Sequence, residues 1–190
     1  MNNYFRLNIP MSVKWTCLAL TSAFVTVVIL HYKRKKFNSK VLFFEPIGYR
    51  PNYSLCPQIM KIVNCLYSAQ KSIDVCVYTI SSEPLAEALV DAHKRGILVR
   101  IIVSNGILLN TKEVRLFRNS GIKTKYQIYD DGSKMHHKFA IVDSTQLIHG
   151  SMNWTHQAAF NNWESVLITN LPSIVNGFNE GFEKTWLTIS

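Results

Sequence analysis

Along residues 57–185 the spacing of apolar positions switches repeatedly between a helical and a strand period, and each switch marks a short element. Ile59, Ile62, Val63 and Leu66 recur at helical spacing and predict a helix over 57–68. In SIDVCVY (72–78), Ile73, Val75 and Val77 alternate with Asp74 and Cys76, which predicts a strand. A helix follows, with Ser82 as its cap, Pro84 in its first turn and Gly96 as its stop. LVRIIV (98–103) is a second strand, closed by a Ser104-Asn105-Gly106 turn, and 111–119 is a helix ended by Gly121. Residues 124–128 form a weaker strand and 130–133 a loop. FAIV (139–142) and 146–149 flank Asp143-Ser144-Thr145 as the arms of a hairpin. A short helix over 154–159, a strand over 165–169 and a helix over 172–185 complete the series. This alternation predicts an α/β layered domain over 41–190, with a mixed central sheet flanked by helices.

Ahead of it the pattern changes. WTCLALTSAFVTVVILHY (15–32) is 18 residues without a formal charge, near the lower end of what spans a bilayer. Lys33-Arg34-Lys35-Lys36 follows at once. A buried core helix would show a polar stripe, and a cleaved signal would carry its cations before the apolar run. A signal anchor fits best, so residues 1–40 are expected to be one N-terminal transmembrane helix (about 15–32) with a basic linker. The positive-inside tendency places the C-terminal domain in the cytosol. Such an anchor fits the mitochondrial outer membrane, and the endoplasmic reticulum stays open.

Composition sharpens this picture. With 47% hydrophobic and 17% charged residues the chain is not disordered. Its formal charge of +9 points to an anionic partner. Seven cations and no acid lie in residues 1–40, leaving 14 cations and 12 acids, or +2, for the rest. Within that rest, residues 94–138 hold ten cations against Glu113, Asp130 and Asp131, a balance of +7. Concentrated charge of this kind suits a polyanionic strand, and it would attract anionic lipid as well. Cys17 lies in the anchor segment, while Cys56, Cys65 and Cys76 form no C-x-x-C pair and read as buried thiols. No structural metal is expected.

MHHKFAIVD (135–143) carries the chemistry. His136 and Lys138 stand two apart and, on a strand, share a face. An imidazole beside an ammonium suits a phosphate diester: the cation offsets phosphate charge and keeps the ring neutral, hence nucleophilic. Ser151 and Asn153 of GSMN also share a face and offer neutral donors to phosphoryl oxygens. His137 should point the other way and be buried or structural, His149 should pack, and His156 could line the cleft. Core packing is the expectation for Trp154 and Trp163.

The complete string H-x-K-x4-D-x6-G-S-x-N resembles the signature of the phospholipase D superfamily. With YTISS and NNWESVLI around it, the chain is similar to the Zucchini and mitochondrial cardiolipin hydrolase group over about residues 41–188. That resemblance implies a metal-independent, cofactor-free phosphodiesterase with a two-step mechanism. His136 would form a phosphohistidine, Lys138, Ser151 and Asn153 would bind the phosphate, and Glu164 would hydrogen-bond and orient His136. Asp143, counted among the catalytic set, reads more as a support for its loop. The mechanism needs two H-x-K-x4-D motifs and this chain has one, which implies a homodimer sharing its active site across a two-fold axis. The resemblance also implies a mitochondrial outer-membrane anchor. The Cys/His zinc-binding insertion of many animal members is missing, since 43–57 contains only Cys56. Two substrates share this chemistry. The basic segment favours single-stranded RNA, cleaved by an endoribonuclease of piRNA biogenesis, over cardiolipin hydrolysed to phosphatidate. A third reading is an inactive membrane-bound RNA-binding scaffold, against which the intact motif argues.

Overall fold

The structure is a computed structural model that describes residues 10–34, 37–48, 52–53, 56–104, 111–127 and 132–189. The chain divides into two compact units, Met1–Phe37 and Asn38–Ser190. In the first, helix α1 (Met11–Arg34) is 24 residues long, about 36 Å at the helical rise. Thr16, Thr21 and Thr26 return their hydroxyls to backbone carbonyls of the preceding turn, so their polarity is satisfied within the helix. Among the described residues no helix is long and apolar enough to cross a membrane. The side chains of residues 27–34, which complete the apolar run and begin its basic flank, lie outside that description, as does the side chain of Cys17.

The second unit is built on one seven-stranded mixed sheet in the order β1-β7-β6-β5-β2-β3-β4. The strands are β1 (Ser39–Phe44), β2 (Ser72–Val77), β3 (Leu98–Ser104), β4 (Lys123–Gln127), β5 (Lys138–Val142), β6 (Gln146–Gly150) and β7 (Glu164–Thr169). β2, β3 and β4 are parallel, joined by the crossover helices α3 (Glu83–Lys94) and α4 (Lys112–Asn119). β5, β6, β7 and β1 extend the sheet antiparallel on the other side of β2. Helix α2 (Pro57–Tyr67) precedes β2, α5 (His156–Asn161) precedes β7, and α6 (Pro172–Thr188) ends the chain.

Strand alternation sorts the two faces. Val75, Val77, Ala140, Val142 and Ile148 join the large core beneath α2 and α3. Cys76, Ile102, Phe139, Ile141 and Leu147 join Val175 and Phe182 of α6 in a smaller one. Each fully buried aliphatic side chain contributes roughly 1.5–3 kcal/mol by leaving water. Arg100 ties α6 to the sheet: its guanidinium reaches Asp74 at 2.6 Å and Glu183 at 2.6 Å, and lies over the rings of Phe182 and Trp186. Lys125 donates to the carbonyls of Trp186 and Ile189 at 2.8 and 2.6 Å, closing the C-terminus of the same helix.

Four local expectations are corrected. β1 was not anticipated: only Leu42 and Phe44 are buried, while Val41 and Phe43 of this edge strand are exposed, so its apolar run shows no clear alternation. Ser82 occupies the N-cap position, yet its hydroxyl caps nothing; Pro84, early in the helix, offers no N–H to it. The helix expected over 154–159 begins at His156, because Trp154 is engaged in a bridge to Ile80 and Thr155 is the cap. Trp163, expected in the core, is 75% exposed. Residues 105–106 of the expected 104–106 turn and 130–131 of the expected 130–133 loop lie outside the described residues.

Candidate active site

His136 is the penultimate residue of the segment 133–137 that leads into β5. Tyr78 N–H donates to the His137 carbonyl at 2.8 Å, and Val77 pairs with Lys138. The end of β2 therefore fixes the backbone on either side of Lys138. The Lys138 ammonium lies 3.0 Å from Nδ1 of His136 and 3.3 Å from Nε2, and donates to the His136 carbonyl at 2.9 Å. Tyr78 walls this pair: its ring centre is 4.6 Å from that of His136 and 5.4 Å from Lys138 Nζ. The imidazole itself is exposed and open to a substrate, whereas Lys138 is buried.

The electrostatics follow from this placement. Burial, then the cations Lys138 and Lys134, then His137, lower the pKa of His136 below its ordinary 6.5. Burial also lowers the pKa of Lys138, against the opposing pull of Glu164. The site is thus a neutral imidazole beside a cation that has given up much of its water, an arrangement that favours an anionic oxygen arriving between them.

The GSMN segment lies across the sheet. Phe139 pairs with His149, so Lys138 and Gly150 stand opposite each other one step further. Gly150 pairs in turn with Val166, and a Cβ at Gly150 would collide with the Ser165 carbonyl. Only glycine lets β6 approach β7 this closely. Beyond it, Ser151 N–H donates to the Ser165 carbonyl at 3.0 Å, and Ser165 N–H donates to Ser151 Oγ at 3.1 Å. Ser151 Oγ donates to Glu164, whose other oxygen accepts from Asn162 Nδ2 at 2.9 Å. Asn153 keeps its buried Oδ1 without a partner.

His136, Lys138, Ser151 and Glu164 thus meet at one end of three neighbouring strands. Glu164, expected to orient His136, makes its hydrogen bonds to Ser151 and Asn162. Asp143 is at the other end of β5, about 17 Å along the strand from Lys138. Its carboxylate accepts from the N–H groups of Gln70, Lys71 and Ser72 at 2.7–3.1 Å, and its own N–H donates to the Ser72 carbonyl at 2.8 Å. Asp143 and Ser144 both have positive φ, 52° and 56°, and Thr145 N–H closes onto the Val142 carbonyl at 3.0 Å, a type I′ hairpin turn. Asp143 locks the loop before β2 to that hairpin.

Other histidines sort differently. His137 does face away from His136, but it is exposed, edge-on to Phe139 at 5.6 Å. His149 packs on Phe178 at 4.8 Å with Nδ1 buried and unpartnered. His156 stacks on Phe160 at 4.5 Å and meets Tyr53 edge-on at 5.4 Å. Tyr78 and Asn162 were not foreseen: only the Val77–Lys138 register and the closeness of β6 to β7 bring them to the site. Cys56, Cys65 and Cys76 are free thiols, and no group of three His, Cys, Asp and Glu side chains among the described residues is placed to hold a metal ion.

Residues 62–186 match the family described as cardiolipin synthase, PLD-like domain. The mitochondrial cardiolipin hydrolase of Xenopus tropicalis is 33% identical over 174 residues, covering 84% of this chain and 82% of that protein. The human protein of the same name is 40% identical over 129 residues, 67% of this chain and half the length of the human one. The crystal structure of Nuc, a phospholipase D family member from Salmonella typhimurium, superposes with a TM-score of 0.65 at 25% identity, covering 80% of this chain and 97% of that one.

Proposed function

The chain belongs to the phospholipase D-like family, and from that premise we propose that it hydrolyses the phosphodiester of an anionic phospholipid of the cardiolipin kind, through a phosphohistidine on His136. The observation that carries the chemistry is the exposed, neutral imidazole held 3.0 Å from the Lys138 ammonium. In the first step a ring nitrogen of His136 attacks phosphorus, an N–P bond forms, and the P–O bond to the leaving alcohol breaks. The leaving oxygen takes a proton from a second imidazole. In the second step water attacks phosphorus, gives a proton back to that imidazole, and the N–P bond breaks. Lys138 and Ser151 bind the phosphoryl oxygens, and Asn153, whose buried Oδ1 has no partner, gives that segment a further polar group. Glu164 holds Ser151 in place rather than His136. The chain has one H-x-K-x4-D motif, so the second imidazole comes from the second copy's His136 in a two-fold homodimer.

The lipid takes first place over RNA for two reasons. Relatives that match most of this chain bear the name mitochondrial cardiolipin hydrolase. Four of the ten cations in the basic segment that favoured RNA also have partners within the protein. Arg95 is bound to Asp91 and the carbonyls of Ala69 and Tyr67, Arg100 to Asp74 and Glu183, Lys112 to Glu83, and Lys125 to the end of α6. RNA remains the second reading, favoured by the exposed Lys94, Arg118, Lys123 and Lys134. We place the protein at the mitochondrial outer membrane, anchored through residues 15–32 with its C-terminal domain in the cytosol. This rests on the charge-free run, the basic flank and the names of the relatives. The test is purified full chain in chelator with cardiolipin vesicles and, separately, labelled single-stranded RNA. Phosphatidate release that His136→Asn abolishes is the expected result; RNA cleavage without lipid turnover would put the second reading first.

A further inference from the structure

We infer that a cleft on the α6 face of the sheet receives an acyl chain of the lipid whose diester His136 attacks; this rests on the lipid reading above. The cleft, about 840 Å³, opens between α6 and the segment that leads into β5, within the roughly 300–1,000 Å³ of ordinary small-molecule sites. Its floor is apolar, with Met135, Phe139, Phe178 and Ile189. Among the described residues its lining includes Lys134 and Lys184 and no acidic residue.

Two features join this cleft to the phosphoryl site. Met135 and His137 line it, while His136 between them turns to Lys138 and Tyr78. Neighbouring Cα atoms are about 3.8 Å apart, so one stretch of backbone divides the cleft from the reacting imidazole. The second feature is the wall. Gly177 and Gly181, one turn apart on α6, line the cleft, and a Cβ on either would meet nothing within 4 Å. Glycine is the costliest ordinary residue in a helix interior after proline, and close packing accounts for neither of these. They leave a trough along the helix. An apolar trough lined also by Lys134 and Lys184 suits an anionic amphiphile, its chain on Phe139 and Phe178 and its phosphate toward Lys134, two residues from His136.

The test measures kcat/KM of the full chain on lysophosphatidylglycerols kept below micelle formation and lengthened by two methylenes per step. Wild type should gain on the order of tenfold per step. Gly177→Leu and Gly181→Leu fill the trough and should each flatten that gain to about threefold or less. The gain is a ratio within one preparation, so any loss of folded protein cancels. An unchanged chain-length dependence in both variants overturns the proposal. Fluorescence of cis-parinaric acid, which brightens in apolar surroundings, reads the cleft without turnover. Binding by wild type and its loss in both variants supports the cleft even where no diester is cleaved, which separates it from failure of the hydrolase reading. No binding by wild type, or a dimer that dissociates on Gly181→Leu and so assigns the cleft to a subunit interface, overturns it.

Discussion

Lys138 holds its ammonium 3.0 Å from Nδ1 of His136, and both groups have pKa values lowered by the burial that brings them together. A lowered imidazole pKa keeps the nucleophile unprotonated to lower pH. The acid limb of kcat/KM on a soluble phosphodiester should therefore lie below 6.5, the ordinary histidine value. Lys138→Met removes one of the cations that disfavour the imidazolium, so it should move that limb upward and lower kcat/KM about 10²–10³-fold. A limb that stays in place would show that Lys138 does not tune the ring.

Asp143 separates a structural role from a catalytic one. Asp143→Ala leaves the Gln70, Lys71 and Ser72 amides without their acceptor, at a cost of about 3 kcal/mol. For a unit of this size that lowers Tm by roughly 6–12 °C. Asp143→Asn keeps one acceptor oxygen and tolerates the positive φ of 52°, and should lose about half as much. Calorimetry gives the loss, and kcat per folded molecule should change less than about threefold.

Arg100 tests whether the basic segment is structural. Arg100→Met leaves Asp74, 5% exposed, as an unpaired buried charge, which costs about 3–5 kcal/mol. Denaturant unfolding should show that loss, while KM for either substrate class stays within about twofold. A large rise in KM for RNA at constant stability would return Arg100 to the substrate surface.

His149 gives the fold a pH dependence of its own. Burial lowers its pKa below 6.5, against a hydrogen bond to the Lys138 backbone and with the help of His137. The unfolded chain then binds the proton more tightly, so stability falls as pH drops through the unfolded value of about 6.5 toward the folded one. His149→Phe, packed on Phe178, removes this part. Its Tm should decline less than that of wild type between neutral pH and about pH 5; parallel curves would contradict the assignment.

Much of this was legible in the residues. Most elements from 57 to 188 follow the apolar spacing, because each has at least one buried face and many have a clear turn or cap: Gly96 and Gly121 take positive φ after α3 and α4, and Thr111 caps α4. The H-x-K pair and GSMN converge as their spacing suggested, since β5 and β6 are joined by a tight hairpin that fixes their register. What the sequence could not show are relations between strands distant in the chain. β1 is recognised only by its pairing with β7. Tyr78 reaches His136 only because β2 lies beside β5. Glu164 was assigned to His136 by resemblance, and its bond to Ser151 depends on the approach of β7 to Gly150. The same holds for charge: Arg95, Arg100 and Lys125 read as a basic patch until the fold supplies their partners.

The most direct test of the phosphohistidine is mass spectrometry of the full chain, quenched in alkali during turnover of cardiolipin or a soluble phosphodiester in chelator. An acid-labile phosphoryl adduct on the peptide containing His136, absent from His136→Asn along with all turnover, is the predicted result. Turnover that persists in His136→Asn, or an adduct on any other residue, would contradict it.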